Sequence, residues 1–356
     1  MVAERIDLLI IGLGPAGAAA ARVAAQGGIS VAVIERKQTA GVPVQCAEFI
    51  PLPLGAYARP EGVLQQRIRG MNSALPSGAM EKSEFPGLMV DRAAFDQALA
   101  REAEKAGARV FFDSRLERLE PAQNRAWIAT PQGERVFEYK VLVGADGPHS
   151  PVAAALGLPP LEVVHTRQYT VPLLRPFEDT DIWLSDAYPG GYAWLFPKRE
   201  TANLGLGADK RFAADLKTPL DELHRNLVSE GRVGIEILHR TGGAIPVGGM
   251  RPKISIGNVM LTGDAAGLTH PVTGAGIAAA VVSGDRAGEA AVARVRDKVE
   301  NALGEFEEDI RDQFEASLAR AVAKRQWLNQ FWGGAEARGD EMHRRGWIAF
   351  PEYFTN

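Results

Sequence analysis

Three glycines in the run Gly12-Leu13-Gly14-Pro15-Ala16-Gly17 are spaced for a turn that cradles an anion. They follow the short apolar stretch Ile6-Asp7-Leu8-Leu9-Ile10-Ile11 and lead into alanine-rich sequence as far as about Gln26. The first stretch suits a strand buried on both faces of a parallel sheet, and the second favours a helix. Gly27-Gly28 ends that helix before a second strand, Ser30 to Ile34. In such a βαβ unit Gly12 permits the tight turn, Gly14 lets a diphosphate approach the backbone, and Gly17 lets the helix pack on the strand. Pro15 and Ala16 open the helix, whose N–H groups and dipole favour a diphosphate. Glu35 closes the second strand, where a carboxylate accepts from ribose hydroxyls and repels a phosphorylated ribose. Arg36, next in the chain, is counted with it among the cofactor-binding residues. Taken together these features point to a dinucleotide, without choosing between FAD and NAD.

Two later segments point to flavin. Lys140 to Gly147 reads as another buried strand running into Gly144-Ala145-Asp146-Gly147. Asn258 to Gly267 repeats the arrangement with Gly263-Asp264, followed by Gly274-Ala275-Gly276 and a further alanine-rich helix. An aspartate ending a strand accepts from ribityl hydroxyls, although Asp146 reads equally as a turn cap. A helix N-terminus preceded by small residues offers N–H groups to the flavin edge, where negative charge gathers on reduction. Between these segments lies Tyr192-Ala193-Trp194-Leu195-Phe196-Pro197-Lys198, with Thr201 to Gly207 as partner strand. Alternation with period two puts Tyr192, Trp194 and Phe196 on one face, either packed on a core or lining a cavity.

With these motifs the chain resembles the FAD-dependent oxidoreductases shared by para-hydroxybenzoate-hydroxylase-type monooxygenases and geranylgeranyl reductases. The resemblance runs from the N-terminus into the helix after Gly276. It implies an α/β fold: a Rossmann-type FAD-binding domain with an inserted antiparallel β-sheet substrate domain and a helical C-terminal tail. Gly12, Gly14, Gly17 and Glu35 match the family's nucleotide fingerprint, Asp146 and Gly147 its middle motif, and Gly263 and Asp264 its flavin motif. Arg92, in Val90-Asp91-Arg92-Ala93-Ala94-Phe95, matches a cofactor-contacting arginine, while by itself it reads equally as a solvated helix residue. The Tyr-x-Trp-x-Phe-Pro string resembles the geranylgeranyl reductase signature that lines a hydrophobic cavity facing the flavin. Tyr192, Trp194, Phe196 and His270 are thereby candidate substrate contacts, and Cys46, Tyr192 and Trp194 candidate catalytic residues. His270 alone reads as ordinary loop hydrogen bonding. The same family carries a cysteine loop where Pro43-Val44-Gln45-Cys46-Ala47-Glu48-Phe49 falls. Ala47 replaces the glycine of the family's Cys-Gly-Glu, and Ala275 stands where glutamate is common. These departures bear on the substrate more than on the cofactor. Cys46 is either a buried packing residue or a pocket contact and proton relay beside the flavin, in a loop suited to a mobile gate.

The resemblance implies reduction of carbon–carbon double bonds in an isoprenoid or other apolar chain, by hydride from reduced flavin. Two alternatives stay open: a flavin-dependent monooxygenase, and a flavoprotein supplying electrons to a protein partner, linked to lipoate assembly. No second dinucleotide fingerprint is present, because the glycine pairs at 190–191, 242–243 and 248–249 open no βαβ unit. The electron donor is therefore expected to be transiently bound NAD(P)H or a ferredoxin-like protein.

Composition narrows the remainder. The 356 residues are 46% hydrophobic, and 40 basic side chains are offset by 44 acidic ones, so no nucleic-acid partner is indicated. One cysteine excludes an intrachain disulfide. The six histidines show no metal-ligand spacing, and no metal is expected. Charges in the opening segment, Met1 to Asp7, argue against an export signal, and no apolar run is long enough to span a bilayer. A reducing cytoplasm fits. Segments 1–75, 90–160 and 250–300 are assigned to the FAD-binding domain, 161–249 to the antiparallel sheet, and 301–356 to the tail. The tail is expected to be helical from Glu305 to Phe331. Arg320, Lys324 and Arg325 near Trp327, Phe331 and Trp332 form either a basic amphipathic face for a membrane or protein partner, or a lid and core packing.

Overall fold

The computed structural model describes residues 3–213 and 215–355. Met1, Val2, Ala214 and Asn356, which fall within the segments assigned above, lie outside the described residues.

Among the described residues an eight-stranded sheet has Glu4–Ile11 near its centre, paired in parallel with Val31–Ile34 on one side and Gly133–Gly144 on the other. Val259–Leu261 adds beyond Gly133–Gly144, again in parallel. Leu8, Leu9, Ile10, Val141, Leu142 and Val143 are fully buried, as a strand covered on both faces requires. The register sets Ile11 opposite Gly144, and Gly144 opposite Leu261. Three strands thus end in line, and the three glycine-containing turns that follow them leave the sheet at one edge. Ligands of open parallel sheets gather at that carboxyl edge. Helices Pro15–Gln26 and Ile277–Val295 start there and pack on each other.

The second, nine-stranded sheet contains Val163–Pro172, Asp179–Trp183, Ala193–Lys198 and Thr201–Ala208. Ala193–Lys198 and Thr201–Ala208 pair antiparallel, with Trp194 opposite Gly205. The sheet also takes in Phe49–Pro51, Leu64–Ala74 and Met80–Val90. This differs from the expectation that residues up to 75 belong with the nucleotide unit. Leu64–Ala74 lies parallel to Asp179–Trp183, Gly70 opposite Asp179, so the second sheet is mixed in direction. A pairing across so much intervening chain leaves no local trace. The second strand of the βαβ unit starts at Val31 rather than Ser30, because the Ser30 N–H and hydroxyl both donate to Asp7.

The tail helix spans Ala302–Leu328, shifted from the expected Glu305 to Phe331. Leu303, Phe306 and Ile310 pack into the main core. Beyond it, Asp340–Gly346 forms a short helix, and Trp347 and Phe350 pack against Met71, Ile182 and Trp194. Arg325 does not join a basic surface stripe. It is buried, donating to the Gly190 carbonyl at 2.6 Å and to Asp209 at 3.0 Å. No helix among the described residues is long and apolar enough to cross a membrane.

Candidate cofactor and substrate site

The first turn has room for a diphosphate and little room for anything else. Gly12 has φ +100°, and a Cβ there would lie 2.3 Å from the Ala145 carbonyl oxygen. A Cβ on Gly17 would lie 1.9 Å from the Gly12 carbonyl oxygen, so helix and turn touch. Gly14, by contrast, faces open space, with nothing within 4 Å of a Cβ. The helix that starts at Pro15 has no side-chain cap and no acid in its first turn, which leaves its N–H groups for an anion. Glu35 is buried and braces this turn from below, accepting from Leu13 N–H at 2.8 Å and Lys37 N–H at 2.9 Å. Each oxygen keeps a lone pair for a ribose hydroxyl. Arg36 is exposed beside it.

At the second turn one Asp146 oxygen accepts from Val152 N–H at 3.0 Å, in the first turn of the helix Pro151–Ala155, whose N-cap is Ser150. Its other oxygen is buried and has no hydrogen-bond partner among the described residues, and burial raises the Asp146 pKa. Such an oxygen calls for a hydroxyl donor from a ligand. At the third turn Asp264 sits on a short 3₁₀ turn, Gly263–Ala266, and accepts from the Thr269 hydroxyl at 2.5 Å. Burial raises its pKa as well. A Cβ on Gly276 would lie 2.7 Å from Thr269 Oγ1 and 3.2 Å from Asp264 Oδ1, so only glycine lets this loop fold back on the aspartate. The helix from Ile277 begins uncapped, with Gly274, Ala275 and Gly276 before it and no acid in its first turn. An open glycine, an unpartnered carboxylate oxygen and two bare helix N-termini on one sheet edge fit FAD.

A cavity of about 450 Å³ reaches from Gly14 and the Gly263–Ala278 loop to an apolar far end at Met71, Phe85 and Trp347. That volume falls within the usual range for small-molecule sites. Tyr192, Trp194 and Phe196 all line it, their ring centroids 5.7 and 6.4 Å apart in succession. Trp347, from the tail, stands 4.7 Å from the Tyr192 ring. The Tyr192 hydroxyl donates to the Thr273 carbonyl at 2.5 Å, and burial pushes its pKa up. Arg92 also lines the cavity, its guanidinium paired with Asp96 at 3.0 and 3.1 Å and largely screened from solvent. His270 flanks the cavity loop with Nδ1 accepting from Thr273 N–H at 3.3 Å, and burial lowers its pKa to about 4.

Cys46 lies on the cavity wall, in a loop that is tied down at several points rather than free to swing. Gln168 donates to the Cys46 carbonyl at 3.0 Å and accepts from Trp194 Nε1 at 3.2 Å. Asn203 donates to the Ala47 carbonyl at 3.2 Å. Glu48 is buried, bonded to Lys198 Nζ at 2.9 Å and to Asn203 Nδ2 at 2.7 Å. Sequence reasoning missed Glu48, Gln168, Lys198, Asn203 and Trp347. Glu48 falls on the glutamate of the family's Cys-Gly-Glu and Lys198 ends the aromatic string, and those places in the motifs were the available signal. Gln168 and Asn203 carried none, and Trp347 was signalled only by its place in the aromatic-rich end of the tail.

Comparison with known proteins agrees with this geometry. Residues 64–283 match the family model described as FAD dependent oxidoreductase. The digeranylgeranylglycerophospholipid reductase of Methanocaldococcus jannaschii is 35% identical over 320 residues, 85% of this chain and 81% of that protein. The chain belongs to the geranylgeranyl reductase family of FAD-dependent oxidoreductases. Digeranylgeranylglycerophospholipid reductase 1 of Methanopyrus kandleri is 33% identical over 89% of this chain and 90% of its own. Among solved structures, a geranylgeranyl bacteriochlorophyll reductase-like protein from Thermoplasma acidophilum superposes with a TM-score of 0.83 at 26% identity, covering 95% of both chains. The family's cofactor, FAD, is therefore this chain's cofactor, and the chain is an oxidoreductase.

Proposed function

We propose that this flavoenzyme reduces carbon–carbon double bonds of an isoprenoid chain, with a geranylgeranyl glycerophospholipid as the substrate class suggested by the names of its relatives. The single observation that carries this reading is the aromatic and aliphatic cavity that opens directly onto the Gly263–Ala278 loop. Glu35 and Arg36 hold the adenosine end, Gly14 to Gly17 the diphosphate, Asp146 and Asp264 the sugar and ribityl hydroxyls, and Gly274 to Gly276 with Arg92 the flavin edge. Bound and reduced, FAD supplies the hydride. Tyr192, Trp194 and Phe196 form the wall that orients an apolar chain and keeps water out. Lying beside the Arg92 guanidinium, Cys46 Sγ lines the cavity and accepts from Glu48 N–H at 3.2 Å. We assign it the proton for the second alkene carbon. His270, held neutral near neutral pH by burial, stands behind the cavity loop, bonded to Thr273 N–H, and is not assigned a substrate contact.

Electrons come from NAD(P)H bound transiently or from a ferredoxin-like donor, since one dinucleotide fold is already used by FAD. With a single thiol, the enzyme suits the reducing cytoplasm. With Arg325 buried, contact with a lipid surface is assigned to Arg320, Lys324 and the exposed Phe354. The test is anaerobic visible spectroscopy of the dithionite-reduced protein after addition of a geranylgeranyl lipid. Return of the oxidised-flavin band with a reduced prenyl product is the expected result. A flavin that stays reduced until oxygen is admitted would turn the reading towards a monooxygenase, and one reoxidised only by a partner protein towards electron supply.

A further inference from the structure

Glu48 has three unusual properties at once. It is buried at 4% exposure, its carboxylate is paired with a lysine ammonium, and it is a non-glycine residue in the left-handed region, at φ +71°. L-residues adopt that backbone only where the surroundings hold them there. The surroundings here are specific. Both carboxylate oxygens lie 2.9 Å from Lys198 Nζ, Oε2 also accepts from Asn203 at 2.7 Å, and Oε1 accepts from Arg92 N–H at 2.9 Å. Lys198, itself largely buried, also lies 3.5 Å from Asp91, its only other ion-pair partner among the described residues. The turn held in this way points the Glu48 N–H at Cys46 Sγ, 3.2 Å away.

We propose that Glu48 is the positioning residue for the Cys46 thiol. Its paired carboxylate fixes the left-handed turn whose N–H seats the sulfur on the cavity wall. Lys198 closes the strand that carries Trp194 and Phe196, so the same ion pair keeps thiol and aromatic wall in register. Glu48 acts through Cys46 and takes no part in proton transfer itself. The proposal rests on the cavity being the place of reaction only for its consequence in turnover; the seating of the thiol stands apart from any substrate.

The test uses the FAD-loaded enzyme and the fact that Cys46 is the one cysteine, so that iodoacetamide labels a single site. Glu48→Gln leaves Lys198 without its main counter-ion, and Lys198→Met leaves Glu48 buried and unpaired. Each single variant is expected to change the Cys46 alkylation rate by about tenfold or more, because removing one partner of a buried pair is far costlier than removing both. The double variant, with no unpaired charge, is expected to return to within about threefold of wild type. Wild-type labelling rates in both single variants, with only a lowered melting temperature, would overturn the proposal and leave Glu48 a purely structural residue. If Glu48→Gln fails to fold, Lys198→Met and the double variant decide the question alone. Prenyl reduction assayed in parallel separates the two readings: labelling that responds as expected in an enzyme that reduces no prenyl chain refutes the substrate assignment and not the positioning role.

Discussion

Replacing Gly14 by alanine should separate cofactor binding from folding. A Cβ at this position meets nothing within 4 Å, and the backbone, at φ −74° and ψ −174°, is one that alanine adopts freely. Two small effects on the apoprotein oppose each other. Reduced freedom of the unfolded chain stabilises by about 0.4–1 kcal/mol, and alanine is a poorer N-cap than glycine by roughly 0.5 kcal/mol. The apoprotein should therefore melt within about 3 °C of wild type. The new methyl, however, stands where the diphosphate must reach the backbone, and loss of one or two charge-assisted N–H contacts at about 1.5–3 kcal/mol each weakens FAD by roughly ten- to a hundredfold or more. Titration of apoprotein with FAD, followed by quenching of flavin fluorescence, measures the affinity, and thermal unfolding of the same preparation measures stability. Gly17→Ala gives the contrast. Its Cβ would lie 1.9 Å from a backbone oxygen, so folding itself should suffer by several kcal/mol. Unchanged FAD affinity in Gly14→Ala would refute the placement of the diphosphate at this turn. A large loss of apoprotein stability would refute the claim that the position is open.

Other outcomes follow from the cavity. Tyr192→Phe keeps the ring and removes only the bond to the Thr273 carbonyl, so stability should fall by about 1 kcal/mol and turnover by less than about tenfold; a far larger loss of turnover would make the hydroxyl a proton donor. Gly276→Ala pushes on Thr269 and Asp264 and should release or weaken FAD while secondary structure by circular dichroism stays intact. His270 titrates near pH 4 in the folded protein against about 6.5 unfolded. The unfolded chain therefore binds the extra proton first as pH falls, and the contribution, fully present above about pH 6.5, is lost progressively down to about pH 4. Between pH 7 and pH 5 the loss is about 2 kcal/mol. Urea unfolding of His270→Asn should show a correspondingly shallower acid decline than wild type.

The parts of this protein that could be read from sequence are those whose cause is local. A glycine whose Cβ would strike the next turn, an acid at the end of a strand, and aromatics two residues apart each leave a mark within a few positions. The first glycine turn, Glu35, Asp146, Asp264 and the Tyr192–Phe196 string were visible for that reason, and Tyr192, just before the strand Ala193–Lys198, lines the same cavity as Trp194 and Phe196 within it. Tertiary structure alone decided the rest. Glu48 meets Lys198 across 150 residues, Cys46 meets Gln168 across 122, and Trp347 reaches Tyr192 from the far end of the chain. Leu64–Ala74 joined the second sheet because Asp179–Trp183 offered a parallel edge, a partner no pattern within its own eleven residues could announce. Hydrogen bonds and ion pairs between distant segments depend on where the backbone brings two side chains, and neither residue type nor spacing encodes that meeting. The sequence by itself therefore determined the cofactor and the glycine turns at one sheet edge, while packing of the two sheets and the tail determined what lines the cavity and holds Cys46 on its wall.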